Sequence, residues 1–184
     1  MPGLADLHSL NAISGVSSEF RWQFLNRASS PLDLTVSFEP QWQHIDDISG
    51  QNMQSYVLPV RLLADMALIP EKTFIALNLN YTPTFARSGG TWQQQNPFEI
   101  ELDAATAIPG NGFLGVEIRQ STLNQHGFFS GRALFFGPSL FFSLSKAIVV
   151  KVAWEAQIPA EAGGRVDLVN YERQQVRAQF AWVF

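Results

Sequence analysis

Charged side chains recur at every second position along several stretches of this chain. Glu99, Glu101 and Asp103 form one such series, and Glu117 with Arg119 forms another. A period of two places these groups on one face of a β-strand. Carboxylate and guanidinium groups on a shared polar face can form a salt-bridged network. They can also line a hydrated channel, in which the acidic series would favour cations.

Two histidines have neighbours that suggest catalysis or metal binding. His44 with Asp46 and Asp47 suggests an acid–base or divalent-metal pair, and His126 with Ser130 suggests an esterase. Neither group is fixed on one strand face, and no nucleophile motif accompanies them. The chain also lacks a phosphate loop, a dinucleotide fingerprint and metal-ligand spacing. The sequence therefore predicts no enzyme, no metal site and no cofactor.

Composition limits the class of protein. The chain has 184 residues, of which 46% are hydrophobic and 15% charged, and this fits one domain that is either a soluble β domain or a small membrane barrel with a polar interior. A net charge of −4 without a Lys/Arg cluster argues against a nucleic-acid partner. The absence of cysteine excludes disulfides and thiolate metal sites. No apolar run reaches the roughly 18 residues of a transmembrane helix.

Nine stretches alternate between apolar and polar residues with a period of two, which predicts nine β-strands. Most of their lengths lie near the roughly 9–11 residues that a tilted strand needs to cross a bilayer. The predicted strands are residues 19–27, 34–43, 56–68, 73–82, 98–104, 114–119, 134–144, 148–157 and 170–184. Residues 19–184 thus form an array of hairpins within a single domain, 1–184, and residues 1–18 form an external segment or an extra strand.

The connections between these strands alternate between short and long. Short turns are predicted at 28–31, 69–72, 108–112 and 145–146, and longer loops at 46–55, 86–97, 122–131 and 159–167. Outer-membrane barrels have short periplasmic turns, longer external loops and interfacial aromatic girdles. The aromatic residues on the apolar face near strand ends are Trp22, Trp42, Tyr56, Tyr81, Trp154 and Trp182. Because proline has no N–H, Pro40, Pro59, Pro83 and Pro138 are expected at loop ends or bulges.

The last stretch ends on an aromatic residue, with apolar residues at every second position before it. These residues form a predicted assembly signature, namely Val176, Ala178, Phe180, Trp182 and Phe184. The pattern resembles the C-terminal strand of bacterial outer-membrane β-barrels. Residues 56–81, 133–145 and 167–184 also look like the C-terminal portion of an uncharacterised family of proteobacterial outer-membrane β-barrels. This resemblance implies a signal peptide and further upstream strands, and it supplies no catalytic motif.

Together these observations predict an all-β, antiparallel, up-and-down transmembrane β-barrel with about nine strands in this chain. We expect an integral protein of the bacterial outer membrane with a structural or passive-pore role. The expected partners are the lipid bilayer, lipopolysaccharide and the outer-membrane barrel assembly machinery. The alternatives are a soluble lipocalin-like barrel that binds a hydrophobic ligand and, less favoured, an outer-membrane barrel enzyme.

The polar face of this barrel would carry charges of both signs, which form a predicted charge network in the lumen. Its members are Glu19, Arg21, Glu39, Arg61, Asp65, Glu99, Glu101, Asp103, Glu117, Arg119, Lys151, Glu155, Arg173 and Arg177.

An odd number of strands would start the chain on the external side, whereas single-chain bacterial barrels have an even number. We therefore expect the chain to be part of a larger, even-stranded barrel. Leu4–Ser14 is a weaker candidate for a tenth strand, because its apolar residues fit no period of two.

The terminal pattern generates a prediction about assembly. Deletion of Phe184, or Phe184→Asp, should block insertion far more than a conservative change in the middle of a strand. The measurement is the amount of protein in the outer-membrane fraction of cells. Wild-type levels of the deletion variant would contradict the assignment.

Overall fold

The computed structural model describes residues 15–45, 52–88, 90–125, 128–145, 147–160 and 164–182. Within these ranges the chain forms one antiparallel sheet of fourteen strands and no helix. The strands are β1 (Gly15–Ser17), β2 (Phe20–Leu25), β3 (Leu32–Phe38), β4 (Gln41–Ile45), β5 (Asn52–Val57), β6 (Val60–Ile69), β7 (Thr73–Tyr81), β8 (Thr84–Ser88), β9 (Thr91–Gln95), β10 (Phe98–Ile108), β11 (Gly112–Gln125), β12 (Phe128–Ser143), β13 (Ile148–Ile158) and β14 (Gln174–Trp182). The described residues contain no helix that is long and apolar enough to cross a membrane.

The strands follow one another as a meander, which confirms the predicted all-β, antiparallel architecture. One continuous order is β2, β3, β6, β7, β10, β11, β12, β13 and β14. A second order, β1, β4, β5, β8 and β9, continues the first five of these strands beyond a short interruption in each. We call a strand together with its continuation beyond an interruption a run. The nine predicted strands therefore correspond to nine runs, five of which are divided into two strands.

Several predicted boundaries are wrong. The predicted loop 86–97 contains β9 and the end of β8, and the predicted loop 122–131 contains the end of β11 and the start of β12. Neither segment shows hydrophobic alternation, because polar residues occupy both faces of β9 and two consecutive phenylalanines, Phe128 and Phe129, begin β12. The predicted last strand, 170–184, begins only at Gln174. The candidate tenth strand, 4–14, lies outside the described residues.

The five interruptions lie side by side and form a row across the sheet, which we call the proline row. Its members are Ser18, Pro40, Pro59, Pro83 and Pro97. Each proline carbonyl accepts a hydrogen bond from the preceding run. The backbone N–H of Ser18 donates to Pro40 at 3.2 Å, and that of Glu39 donates to Pro59 at 2.9 Å. The backbone N–H of Leu58 donates to Pro83 at 3.0 Å, and that of Thr82 donates to Pro97 at 3.0 Å. Pro40, Pro59 and Pro83 lie at interruptions within runs and not at the expected loop ends, because they pair through their carbonyls where no N–H is needed.

Pro138 has a different environment inside β12. On the β11 side it stays in register with Val116, but pairing with β13 is interrupted at Gly137 and Pro138. At Gly137 the backbone of β13 approaches so closely that a Cβ atom would overlap the carbonyl oxygen of Trp154. Gly137 therefore permits the close passage of the two strands beside a proline that cannot donate to the ladder.

The two faces of the sheet are opposite in character. Buried polar or charged residues lie on one face: Ser37, Ser55, Glu101, Glu117, Arg119, Ser121, Glu155 and Gln157. Large apolar residues of the other face are exposed, among them Trp22, Leu102, Val116, Trp154 and Phe180. The hydrophobic face of the predicted strands thus faces outward.

The sheet curls around its polar face. The guanidinium of Arg177 on β14 lies 3.1 Å from the carboxylate of Glu101 on β10, four strands away. In a flat sheet these strands would be about 19 Å apart, because neighbours are spaced by about 4.8 Å. The polar face is therefore concave, and we call it the concave face.

The sheet is not closed. Within the described residues β14 pairs only with β13, β2 only with β3 and β1 only with β4. Since the sheet has nine antiparallel runs, the two edge strands β2 and β14 point in the same direction. The predicted barrel closure is therefore not part of the described structure.

We expect Gly137→Ala to destabilise the sheet, because the added methyl group would push β12 and β13 apart. Overpacking of this kind costs about 1–3 kcal/mol. Gly112→Ala is the control, since its Cβ would lie 3.1 Å from the nearest atom, the carbonyl oxygen of Phe141, and needs only a small adjustment. Urea unfolding in detergent micelles, followed by tryptophan fluorescence, measures both variants. Equal stability of the two would contradict the close approach at Gly137.

Candidate functional site

Eight charged side chains meet on the concave face of β10, β11, β13 and β14, and we call them the central cluster. They are Glu99, Glu101, Asp103, Glu117, Arg119, Lys151, Glu155 and Arg177. Each occupies the alternate position of its strand that points to the concave side, so the period-two pattern of the sequence brings them together. Five carboxylates therefore face three cations.

Arg119 lies at one end of the central cluster and is 5% exposed. Its Nη1 donates to Oε2 of Glu99 at 2.7 Å, and its Nη2 donates to Oε2 of Glu155 at 2.8 Å. The same guanidinium donates to the side chain of Gln175 on β14 and lies 4.5 Å from the ring centroid of Phe135. Its planar fork thus links β10, β11, β13 and β14 through charge-assisted hydrogen bonds.

Lys151 lies among three carboxylates. Its Nζ is 3.3 Å from Glu117, 3.5 Å from Glu101 and 3.8 Å from Asp103. The three carboxylates offer oxygen atoms within 4.8 Å of one another, which is the kind of donor set that a divalent cation uses. Here the ammonium group of Lys151 already supplies the positive charge at that position.

Arg177 connects the last strand to the rest of the cluster. It forms ion pairs with Glu101 at 3.1 Å, with Glu155 at 3.4 Å and with Glu117. Glu117 and Glu155 are both 0% exposed. Burial of an unpaired carboxylate is very costly, so these two groups depend on the cations around them.

The other residues of the predicted charge network lie outside the central cluster. Arg61 contacts Glu39 at 3.1 Å and Glu19 at 3.4 Å, and Arg21 contacts Glu19 at 3.0 Å. Because these pairs are partly exposed, we expect each to add little stability.

Asp65 pairs with Arg27 in the turn before β3, at 3.0 Å. The placement of Arg173 on the last strand was wrong. Arg173 is exposed and precedes β14, and its carbonyl accepts a hydrogen bond from the backbone N–H of Gln157 at 2.9 Å.

Residues of the predicted assembly signature lie on the opposite face of β14 from Arg177. Val176, Ala178 and Phe180 are exposed there. Trp182 is the last residue of β14, and Phe184 lies outside the described residues.

The predicted catalytic pairs are only partly described. The imidazole of His44 stacks on the indole of Trp42, with ring centroids 5.2 Å apart. Asp46, Asp47 and His126 lie outside the described residues.

One component of the site was missed by sequence reasoning. Residues 164–173, which we call the strap, fold back onto the start of β12. Asp167 accepts hydrogen bonds from the backbone N–H groups of Val169 and Asn170, both at 3.1 Å, and of Arg132 at 3.3 Å. The amide of Asn170 donates to Asp167 at 3.0 Å and to the carbonyl oxygen of Ser130 at 3.0 Å.

These contacts have electrostatic and packing consequences. The hydrogen bond from the Asn170 side chain, with those from the backbone, lowers the pKa of the Asp167 carboxyl. The strap also brings the ring of Tyr171 to 6.2 Å from that of Phe135, which is fully buried on the concave face. The spacing of Asp167 and Asn170, typical of a side-chain-capped turn, is the signal that could have revealed the strap.

Residues 5–184 match the model of a family of unknown function, DUF6662. The chain belongs to this family. No curated protein and no solved structure matches it. The central cluster and the strap are therefore features of a DUF6662 protein.

The central cluster predicts that loss of a buried ion pair lowers the free energy of unfolding far more than loss of an exposed one. Arg119→Gln removes the cation from Glu99 and leaves Glu155 with Arg177, at 3.4 Å. Loss of one partner of a buried pair costs about 3–5 kcal/mol. Arg21→Gln is the matched control, because an exposed pair contributes about 0–1 kcal/mol. Urea unfolding in micelles compares the two. If the free energy of unfolding decreases no more for Arg119→Gln than for Arg21→Gln, the cluster is hydrated and not closed.

Proposed function

We propose that this protein is an integral outer-membrane β-barrel protein with a structural role, in which the concave face forms a barrel interior filled by ion pairs. The observation that carries the proposal is the inverted distribution of residues. Trp22 and Phe180 are 69% and 75% exposed, whereas Glu117 and Glu155 are 0% exposed. A water-soluble protein rarely exposes a large continuous apolar surface, but a lipid bilayer would cover it.

The aromatic residues beside the proline row support a membrane location. Exposed aromatic side chains lie on both sides of the row, and they are Phe20, Phe38, Trp42, Tyr56, Tyr81, Phe85 and Trp92. Aromatic girdles mark the boundary between the bilayer and water in outer-membrane barrels. The strands β6, β7 and β10 lie on the opposite side of the row from β1, β4, β5, β8 and β9. They have 10, 9 and 11 residues, close to the length of a tilted membrane-crossing strand.

The proposal requires that the two edges of the sheet be paired in the membrane. Each unpaired backbone N–H or C=O group in lipid costs several kcal/mol. Because β2 and β14 point in the same direction, one additional run antiparallel to both would close the sheet and give an even number of runs. The lipid bilayer, lipopolysaccharide and the barrel assembly machinery are the partners that this proposal implies.

The packing of the concave face favours a structural role over conduction. Arg119, Lys151 and Arg177 are each engaged with two or more carboxylates, and the ring of Phe135 is packed between Arg119 and Tyr171. A second candidate is a passive cation-selective pore. The observation that favours it is the excess of five carboxylates over three cations in the central cluster.

The soluble lipocalin-like alternative needs the apolar face to point inward. The exposure of Trp22, Phe38 and Phe180 argues against it. The enzyme alternative gains no support from His44, whose ring stacks on Trp42.

Two measurements on the full chain test the proposal. Phase separation in Triton X-114 should place the protein in the detergent phase, and brominated acyl chains in liposomes should quench its tryptophan fluorescence. Partition into the aqueous phase without quenching would contradict a membrane location. Planar-bilayer recording then separates the two candidates, since a filled interior predicts no steady conductance, and a steady cation-selective conductance would establish the pore.

A further inference from the structure

A cavity of about 380 Å³ lies on the concave face at the end of the sheet next to the short turns. Its walls include the rings of Phe74, Phe113 and Phe141, and its polar groups include Asp65 and Asp103. This volume lies within the roughly 300–1,000 Å³ of small-molecule sites, which combine apolar walls with a few polar groups. Asp103 and Lys151 of the central cluster line the cavity, and the proposed membrane role does not use this space.

The aromatic walls suit the apolar part of a small ligand. Phe74 and Phe113 meet edge to face with ring centroids 5.4 Å apart, and Phe113 and Phe141 do so at 6.0 Å. Aromatic ring faces also attract cations. The guanidinium of Arg27 at the rim already lies 5.2 Å from the ring centroid of Phe74, so a cation is accommodated beside this wall.

The charges around the cavity determine the sign of the charge that a ligand should carry. Arg27 is engaged by Asp65 at 3.0 Å, which leaves this pair neutral. Lys151 is shared by three carboxylates, and Asp103 is the most distant of them at 3.8 Å. Asp103 also lines the cavity. The cavity therefore presents a carboxylate whose charge is the least compensated of the three.

We propose that this cavity binds a small organic cation, with its apolar body against Phe74, Phe113 and Phe141 and its ammonium group near Asp103. The aromatic walls provide the binding surface, and Asp103, whose carboxylate lies 3.8 Å from Lys151, favours a cation over a neutral molecule or an anion. The proposal rests on the described concave face alone. It goes beyond the structural role proposed above and does not require closure of the sheet.

Isothermal titration calorimetry on the full chain in detergent micelles tests the cavity with 2-phenylethylammonium. The neutral 2-phenylethanol and the anionic 3-phenylpropionate are comparators of similar size. We expect saturable 1:1 binding of the ammonium compound, at least tenfold tighter than that of either comparator. Binding of all three with equal affinity, or no saturable binding of the ammonium compound, would overturn the proposal.

Variants locate the site within the chain. Asp103→Asn should weaken binding of 2-phenylethylammonium about tenfold, which corresponds to about 1.4 kcal/mol, and leave 2-phenylethanol unaffected. Ala105→Leu, on the cavity wall, should abolish binding by filling the space. Arg21→Gln, in an exposed ion pair outside the central cluster, is the control and should bind as the wild type does. Urea unfolding confirms that each variant is folded, and unchanged affinity in folded Asp103→Asn or Ala105→Leu would refute the assigned site.

Discussion

The ion pairs between β14 and β10 are the interactions on which the shape of this sheet depends. Arg177 reaches Glu101 across four strands only because the sheet is curled, and Arg119 and Lys151 hold the strands between them. If this face carried charges of one sign, their mutual repulsion would oppose the curl. The balance of Glu and Asp against Arg and Lys is therefore a condition for the curl as well as for burial of the charges.

Much of this arrangement could be predicted from the sequence. Period-two alternation identified nine runs and placed Glu101, Glu117 and Arg177 on one face, since alternation alone decides the face of a strand. It could not reveal which charges meet, because Arg177 and Glu101 are separated by 76 residues and pair only through the curl. It also failed at β9, where polar residues on both faces hide the strand, and at Arg173, which belongs to the strap.

The cavity and the proline row depend on backbone geometry, which alternation does not describe. Phe74, Phe113 and Phe141 occupy the polar side of their strands, so a reading by hydrophobicity alone would assign them to the opposite face. Their strand registers place them side by side. The prolines were visible as exceptions within strands, but their alignment across neighbouring runs follows from the pairing register.

The proline row divides the sheet into two parts that need not share one stability. Beyond it, β1, β4, β5, β8 and β9 pair mainly with one another, and within the described part of the chain β9 pairs with β11 only through Gln95 and Gln125. Four members of the row have no amide hydrogen, so they pair there only through their carbonyl groups. Because β9 is the strand that joins the smaller part to β11, we expect the smaller part to open locally at a lower free energy than the ion-paired part.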